Sequence, residues 1–395
     1  MGTRCAISWT RACVEGLKGI VEGDRVYEEH VMLESPLGPR VKIKGREYDY
    51  FCGTSYYCLH GHPRLIEAAC RATKRYGLGP ATGWDMPPLQ EVERLAASFF
   101  NTPFARYIVS GYLGNFFLLQ ALKDDYHVIF VDEVSHYSVF DAIGSAGKPA
   151  VPFAHLEPGD LERKLKKNLH PGQVPLLITD AVFPVTGAMA PLADYAELIS
   201  RYGGILVVDD SHGVGVLGEN GRGSLEHWGV EGGRCYLAGT LSKAFGGFGG
   251  IIPGDEGLME RIARNVRIPV GGSPPPIPAA AASAEGIRIL SEHPELRERL
   301  RRNVAHLRAR LRDLGFALDD SPVPIVSLRP WGDLDFKRTQ ENLKEKGIMV
   351  KYVPPRGYSD APPVGTLRIA VFSEHTLEQL DRLVEAIEGE MKARR

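Results

Sequence analysis

Between about residues 60 and 255 the chain alternates short apolar runs with stretches long enough for a helix. The runs are His127-Val128-Ile129-Phe130-Val131, Leu176-Leu177-Ile178-Thr179, Ile205-Leu206-Val207-Val208 and Tyr236-Leu237-Ala238. A strand covered by helices on both faces of its sheet needs apolar side chains on both sides. The runs therefore predict a mostly parallel sheet with helices on each face, an α/β domain. Ligands of such sheets bind beyond the carboxyl ends of the strands. Asp180 and Asp209 directly follow two of the runs, which places both at that edge.

The pattern changes near residue 274. Ser273-Pro274-Pro275-Pro276-Ile277-Pro278 breaks the chain, and Ala279 to Ala284 opens a long helix. Leu296, Leu300, Val304, Leu307, Leu311 and Leu314 continue it as one apolar face, and Gly315 is placed to cap it. Strands around 323–328, 348–353 and 366–371, with a closing helix at 376–392, predict a smaller C-terminal α+β domain. The first 45 or so residues are polar and weakly periodic, and read as a helical arm ending in a short hairpin. The expected division is an N-terminal arm over 1–50, a large domain over 51–275 and a small domain over 276–395.

Composition narrows the function. A chain of 395 residues that is 44% hydrophobic buries a large core, and 47 basic against 49 acidic residues leave a net charge of −2. With no basic stripe, small molecules suit this chain better than nucleic acid. The six cysteines show no metal-ligand spacing and predict reduced thiols, so no metal is expected. No apolar stretch has the length of a signal peptide or a membrane span, and the expectation is a cytoplasmic enzyme with no membrane partner.

Two segments carry candidate chemistry. Lys243 lies in Gly239-Thr240-Leu241-Ser242-Lys243-Ala244-Phe245-Gly246-Gly247, and 34 residues before it Asp209 lies in Val207-Val208-Asp209-Asp210-Ser211-His212-Gly213. A lysine in a small, hydroxyl-rich loop can form a Schiff base with the aldehyde of pyridoxal 5'-phosphate, with Thr240 and Ser242 reaching its phosphate. That attack needs an unprotonated amine, which desolvation favours. An acid at a strand end would keep the pyridine nitrogen protonated and make the ring an electron sink. Ser110-Gly111-Tyr112-Leu113-Gly114-Asn115 precedes an apolar helical stretch, so its N–H groups suit a phosphate. His136, in Ser135-His136-Tyr137-Ser138, is placed at the same sheet edge to stack on the cofactor ring, and His212 to reach its hydroxyl.

In order, Ser-Gly-Tyr-x-x-Asn, Ser-His-x-Ser, Asp-x-x-His-Gly-x-Gly and Thr-x-Ser-Lys-Ala-x-Gly resemble the motifs of the α-oxoamine synthases, in the aspartate-aminotransferase-like superfamily. Val216-Leu217-Gly218-Glu219-Asn220-Gly221-Arg222-Gly223 and Gly365-Thr366-Leu367-Arg368-Ile369 are similar to further family stretches. The resemblance runs from Phe51 to the C-terminal helix and implies a fold-type-I pyridoxal-phosphate transferase. It implies Lys243 as the Schiff-base lysine, Asp209 as the pyridine-nitrogen partner, His212 beside the ring hydroxyl and His136 as the stacking residue. Gly111, Tyr112 and Thr240 become phosphate-side contacts, and Arg368 grips the amino-acid carboxylate. Ser273 matches a residue that reaches the partner subunit's phosphate, which implies a homodimer with shared active sites.

The departures fall on the substrate side. Thr54 stands where the family has a substrate-side asparagine, and Pro184 where a serine is expected near the cofactor hydroxyl. A glycine/serine-rich segment and its histidine are shortened to Gly79-Pro80-Ala81-Thr82-Gly83-Trp84-Asp85-Met86-Pro87-Pro88. The leading reading is condensation of a small amino acid with an acyl thioester such as acyl-CoA. The alternative is an aminotransferase or related amino-acid enzyme that does without CoA. A further expectation is that Trp84, Met86, Pro87 and Pro88 line a shorter, more apolar acyl pocket that accepts acyl-CoA poorly.

Overall fold

A computed structural model describes residues 32–79, 85–329 and 334–393. Seven strands form the main sheet: β3 (Phe104–Ile108), β4 (Val128–Asp132), β5 (Ala150–Phe153), β6 (Pro175–Asp180), β7 (Ile205–Asp209), β8 (Cys235–Thr240) and β9 (Gly250–Gly254). They run in the order β3-β9-β8-β7-β6-β4-β5, parallel from β8 to β5, with β9 antiparallel to both β8 and β3. All four apolar runs are strands, and β4, β6 and β7 are buried along their whole length. Helices cover both faces, which is why these strands show no polar alternation. The register sets Asp180 opposite Asp209, and both close their strands rather than following them.

The expected single helix after residue 279 is two helices, Ile277–Glu292 and Glu295–Asp313. Pro294 causes the break. It has no N–H to donate to the Leu290 carbonyl, and the residue before it is pushed out of helical geometry, with His293 at φ −123°, ψ 67°. The Arg297 guanidinium donates to that carbonyl instead, at 2.9 Å. The first of the two helices packs along the Pro63–Tyr76 and Pro87–Phe99 helices. The second buries Leu300, Val304, Leu307 and Leu311 as its apolar face, and Gly315 follows its end at φ 97°.

Three strands, β10 (Ile325–Leu328), β12 (Lys351–Val353) and β13 (Thr366–Ala370), make a small antiparallel sheet in the order β10-β13-β12. The strand expected over 348–353 divides at Val350. Its first part, β11 (Ile348–Met349), pairs instead with the hairpin of β1 (Arg40–Ile43) and β2 (Arg46–Tyr50). The helical part of the expected N-terminal arm lies outside the described residues. The closing helix, Leu377–Lys392, starts with a capping box of Thr376 and Gln379. Among the described residues, no helix is long and apolar enough to cross a membrane.

Candidate active site

The loops that leave the carboxyl ends of β4, β6, β7 and β8 surround a cleft of about 370 Å³. Lys243 lines it, and its Nζ lies 2.9 Å from His212 Nε2. Burial pushes the Lys243 ammonium down to about 8, against the upward pull of the Asp209 and Asp180 carboxylates. The same burial, and then the nearby Lys243 charge, holds His212 well below its ordinary value, so its ring is neutral at pH 7. A neutral imidazole has a single N–H. When the ammonium donates to Nε2, the ring proton sits on Nδ1 and is given to the Tyr56 oxygen, 2.7 Å away.

Asp209 sits at the back of the cleft, almost fully buried. Its carboxylate accepts from Asn115 Nδ2 at 2.6 Å, from Ser138 Oγ at 3.1 Å and from the Ser211 N–H at 3.2 Å. Asp210, next in sequence, faces away and accepts from the Ser224 N–H at 2.7 Å. A Cβ on Gly213 or Gly223 would fall 2.0 Å from an Asp210 oxygen, so glycine is required at both turns that enclose it. Burial raises Asp210 to about 8. Of the adjacent pair, only Asp209 faces the cleft.

His136 caps the Tyr137–Ala146 helix. Its backbone N–H donates to Asp180 at 2.8 Å, and its ring nitrogens lie 2.8 Å from Ser138 Oγ and 2.6 Å from Tyr358 Oη. Burial, and then the charge of Asp209, lifts Asp180 well above the usual carboxylate range. At the other end of the cleft the Ser110–Tyr112 turn lies against Thr240. A Cβ on Gly111 would come 2.7 Å from Thr240 Cβ, so only glycine permits this approach. Thr240 Oγ1 is 2.7 Å from Ser242 Oγ, and both residues line the cleft. Tyr112 Oη donates to Asp141 at 2.5 Å, and its ring stands edge-on to His136.

Hydroxyls and turn N–H groups thus lie at one end, a carboxylate at the back, a histidine on one side and a desolvated lysine in reach. This donor set fits pyridoxal phosphate: the Ser110–Tyr112 turn with Thr240 and Ser242 would hold the phosphate, Asp209 the ring nitrogen and Lys243 the aldehyde carbon.

Arg368 lies beyond Pro184 rather than in the cleft wall. Its Nε donates to the Pro184 carbonyl at 2.7 Å and its Nη1 to the Gly53 carbonyl at 3.3 Å. Thr54 adjoins Gly53 but does not line the cleft, and Ser273 is exposed outside it. Of the residues expected to line an acyl pocket, Met86, Pro87 and Pro88 do not line this cleft. Trp84 lies outside the described residues, while Pro87 and Pro88 line a separate hollow of about 560 Å³ with Arg71, Arg75 and Arg288. That hollow is the larger, but no lysine lines it, and its Arg288 is already paired with Glu91 and Glu285.

Sequence reasoning gave no role to several residues that the fold brings in. Asn115 and Ser138 end two of the quoted motifs, a signal that was available. Tyr56 stands two residues after Thr54, in a stretch that is compared with the family, whereas His60 and Tyr358 carry no such signal. His60 Nε2 lies 2.8 Å from the Ser242 carbonyl and its Nδ1 2.6 Å from Ser55 Oγ, bracing the loop that carries Lys243.

Residues 54–387 match the family model for class I and II aminotransferases. The chain is 34% identical over 372 residues to 8-amino-7-oxononanoate synthase of Thermoanaerobacter pseudethanolicus, covering 92% of each chain. It is 31% identical over 375 residues to 8-amino-7-oxononanoate synthase 1 of Bacillus velezensis, covering 93% of this chain and 95% of that one. The chain belongs to the α-oxoamine synthase family. It is therefore a pyridoxal-phosphate-dependent acyltransferase. Its fold is that of a serine palmitoyltransferase from S. paucimobilis with bound PLP, at a TM-score of 0.85, 23% identity and 99% coverage of both chains. An 8-amino-7-oxononanoate synthase from Francisella tularensis shares it at a TM-score of 0.74 and 24% identity, covering 87% of this chain and 98% of that one. The enzyme thus has the fold-type-I architecture expected from its motifs.

Proposed function

We propose that the enzyme condenses a small amino acid with an acyl thioester, releasing the thiol. The observation that carries this reading is the meeting of Lys243 and Asp209 in one cleft, with Arg368 just past its rim. Bound pyridoxal phosphate supplies an electron-withdrawing ring that stabilises negative charge at the amino acid's α-carbon. Asp209 holds the ring nitrogen, with Asn115, Ser138 and the Ser211 N–H fixing its carboxylate in place. Lys243 would hold the aldehyde carbon, and its desolvated amine is placed to move the α-proton of the substrate. His212 stands within 2.9 Å of that amine and receives or returns its proton, while Tyr56 keeps the imidazole in line.

Arg368 takes the substrate carboxylate, a task that suits a planar guanidinium already steadied by two backbone carbonyls. The motif resemblance assigns Ser273 to the phosphate of a second subunit, which makes the active unit a homodimer; its exposed position after the Ile268–Gly271 helix is compatible with that role.

The test is thiol release from a panel of acyl thioesters with glycine, alanine and serine as acceptors. A thiol burst that needs both substrates supports the condensation. Keto-acid formation from the amino acid without thiol release overturns it.

A further inference from the structure

The loop between β12 and β13 crosses from the small sheet to the cleft. Two residues moor it to the large sheet's loops. Asp360 accepts from the Val185 and Thr186 N–H groups at 3.0 and 2.8 Å and from the Thr186 hydroxyl. Ser359 donates its N–H to Tyr137 Oη at 3.3 Å and its hydroxyl to the Val134 carbonyl at 3.2 Å. Arg356 and Ser359 take positive φ, 53° and 37°, a conformation unfavourable for side-chain-bearing residues. Between them Tyr358 is turned into the cleft, 5.6 Å from the His136 ring and 5.2 Å from Tyr137 by ring centroid.

The hydrogen bonds form a line from Tyr358 Oη to His136 Nε2 at 2.6 Å, from His136 Nδ1 to Ser138 Oγ at 2.8 Å, and from Ser138 Oγ to Asp209 Oδ2 at 3.1 Å. Asp209 as a carboxylate only accepts, so the one Ser138 hydroxyl proton goes to it. Ser138 Oγ then accepts from His136 Nδ1–H, and Nε2 of the neutral ring is left to accept from Tyr358. The 3.2 Å approach of the Ser138 N–H to Nδ1 is the competing arrangement, which would put the ring proton on Nε2. The phenol selects the first, because among the described residues His136 Nε2 is the one hydrogen-bond partner of Tyr358 Oη, and the hydroxyl proton is satisfied only where that nitrogen accepts.

The geometry points to Tyr358 as a positioning residue that locks His136 in the Nδ1–H tautomer and directs the Ser138 hydroxyl at Asp209. The inference rests on the proposed placing of His136 and Asp209 at the cofactor ring. It adds that a loop from the C-terminal part of the chain fixes the polarity of the cofactor's hydrogen-bonding wall.

The test uses full-length enzyme with ¹⁵N-labelled histidine, the His136 signals being assigned by loss in His136→Gln. In cofactor-free wild type, His136 Nε2 should carry the shift of an unprotonated nitrogen and Nδ1 that of an N–H. Tyr358→Phe keeps the ring and its packing but removes the donor, and should mix the two tautomers. It should also weaken pyridoxal-phosphate binding, read by fluorescence titration, about fivefold to tenfold, the usual weight of one hydrogen bond. Asp360→Ala, which casts off the loop at a point outside the cleft, should reproduce both changes. A protonated Nε2 in wild type, or Tyr358→Phe with unchanged His136 shifts, overturns the inference. So does an effect of Asp360→Ala that Tyr358→Phe does not share. Because the tautomer is read without substrate or cofactor, it stands or falls apart from the condensation reaction.

Discussion

The back and the front of the cleft are built in different ways. Its back is the carboxyl edge of the large sheet, where Asp180, Asp209 and Thr240 are the last residues of β6, β7 and β8. Strand register alone sets their spacing, and the groups that steady Asp209 come from the first turns of the Gly114–Ala121 and Tyr137–Ala146 helices and from the turn after β7. Its front is assembled from chain far away in sequence. Tyr56 meets His212 across 156 residues, Tyr358 meets His136 across 222, and Arg368 meets the Gly53 carbonyl across 315. The front contacts are side-chain hydrogen bonds, one to three per residue, between segments that no shared sheet holds in register. Chemistry common to the family belongs on the rigid back. Selection of substrate, and tuning of the groups that meet it, belongs to the front, where one hydrogen bond can change without disturbing the sheet.

Substitutions at the back should therefore cost most. Lys243→Ala should abolish turnover and the borohydride-reducible link to the cofactor, while circular dichroism and the melting curve show an intact fold. A reduced adduct mapped to another lysine would remove Lys243 from the site. Asp209→Asn should lower kcat by about 10²- to 10³-fold, the usual loss when a placed electrostatic group is removed, with cofactor still bound. Asp210→Asn lies outside the cleft and should leave the cofactor spectrum alone. Equal kinetic losses for the two would show that burial, and not facing the cofactor, decides the effect.

The front should respond by smaller factors and in binding first. Arg368→Ala should raise the amino-acid KM roughly 10- to 150-fold, as expected for a charge-assisted contact of about 1.5–3 kcal/mol. Cofactor affinity should hold; its loss in step with KM would make Arg368 a structural part of the back. The pH dependence of cofactor capture by the empty enzyme comes next. Burial lowers Lys243 to about 8, so the free-amine fraction rises as pH increases toward 8 and saturates above it. Stopped-flow absorbance should show capture quickening about tenfold per pH unit below 8 and then levelling; a climb continuing to pH 10 would mean an ordinary, solvated lysine. The smallest change is expected from Tyr56→Phe, which removes the single hydrogen bond to His212 Nδ1 and should slow turnover about fivefold, with the capture profile otherwise unchanged.

Several front residues left no trace in the sequence for the same reason that they act at long range. Tyr358 lies in Arg356-Gly357-Tyr358-Ser359-Asp360, which reads as an ordinary polar turn. Only the Asp360 bonds to residues 185 and 186 turn it toward the cleft. The shortened 79–88 segment was read as acyl-pocket wall. The helix begun at Pro87 packs on the Ile277–Glu292 helix, and Pro87 and Pro88 line a hollow apart from the cleft. The single long helix failed on a local rule that was available: Pro294 leaves the Leu290 carbonyl without a helical donor.

What this sequence determined by itself is the set of local periodicities and the chemistry carried by short motifs. Apolar runs without alternation require a sheet covered on both faces, and residues that end such runs lie at its carboxyl edge, which sets Asp180 and Asp209 there, while the loop around Lys243 shows its chemistry in its residue types. What only the tertiary structure decided is which distant segments close over that edge. The His212–Tyr56 and His136–Tyr358 bonds depend on how the hairpin, the small sheet and its loop pack against the large one. That packing is a sum over many apolar contacts spread along the chain, and no single stretch of sequence carries it.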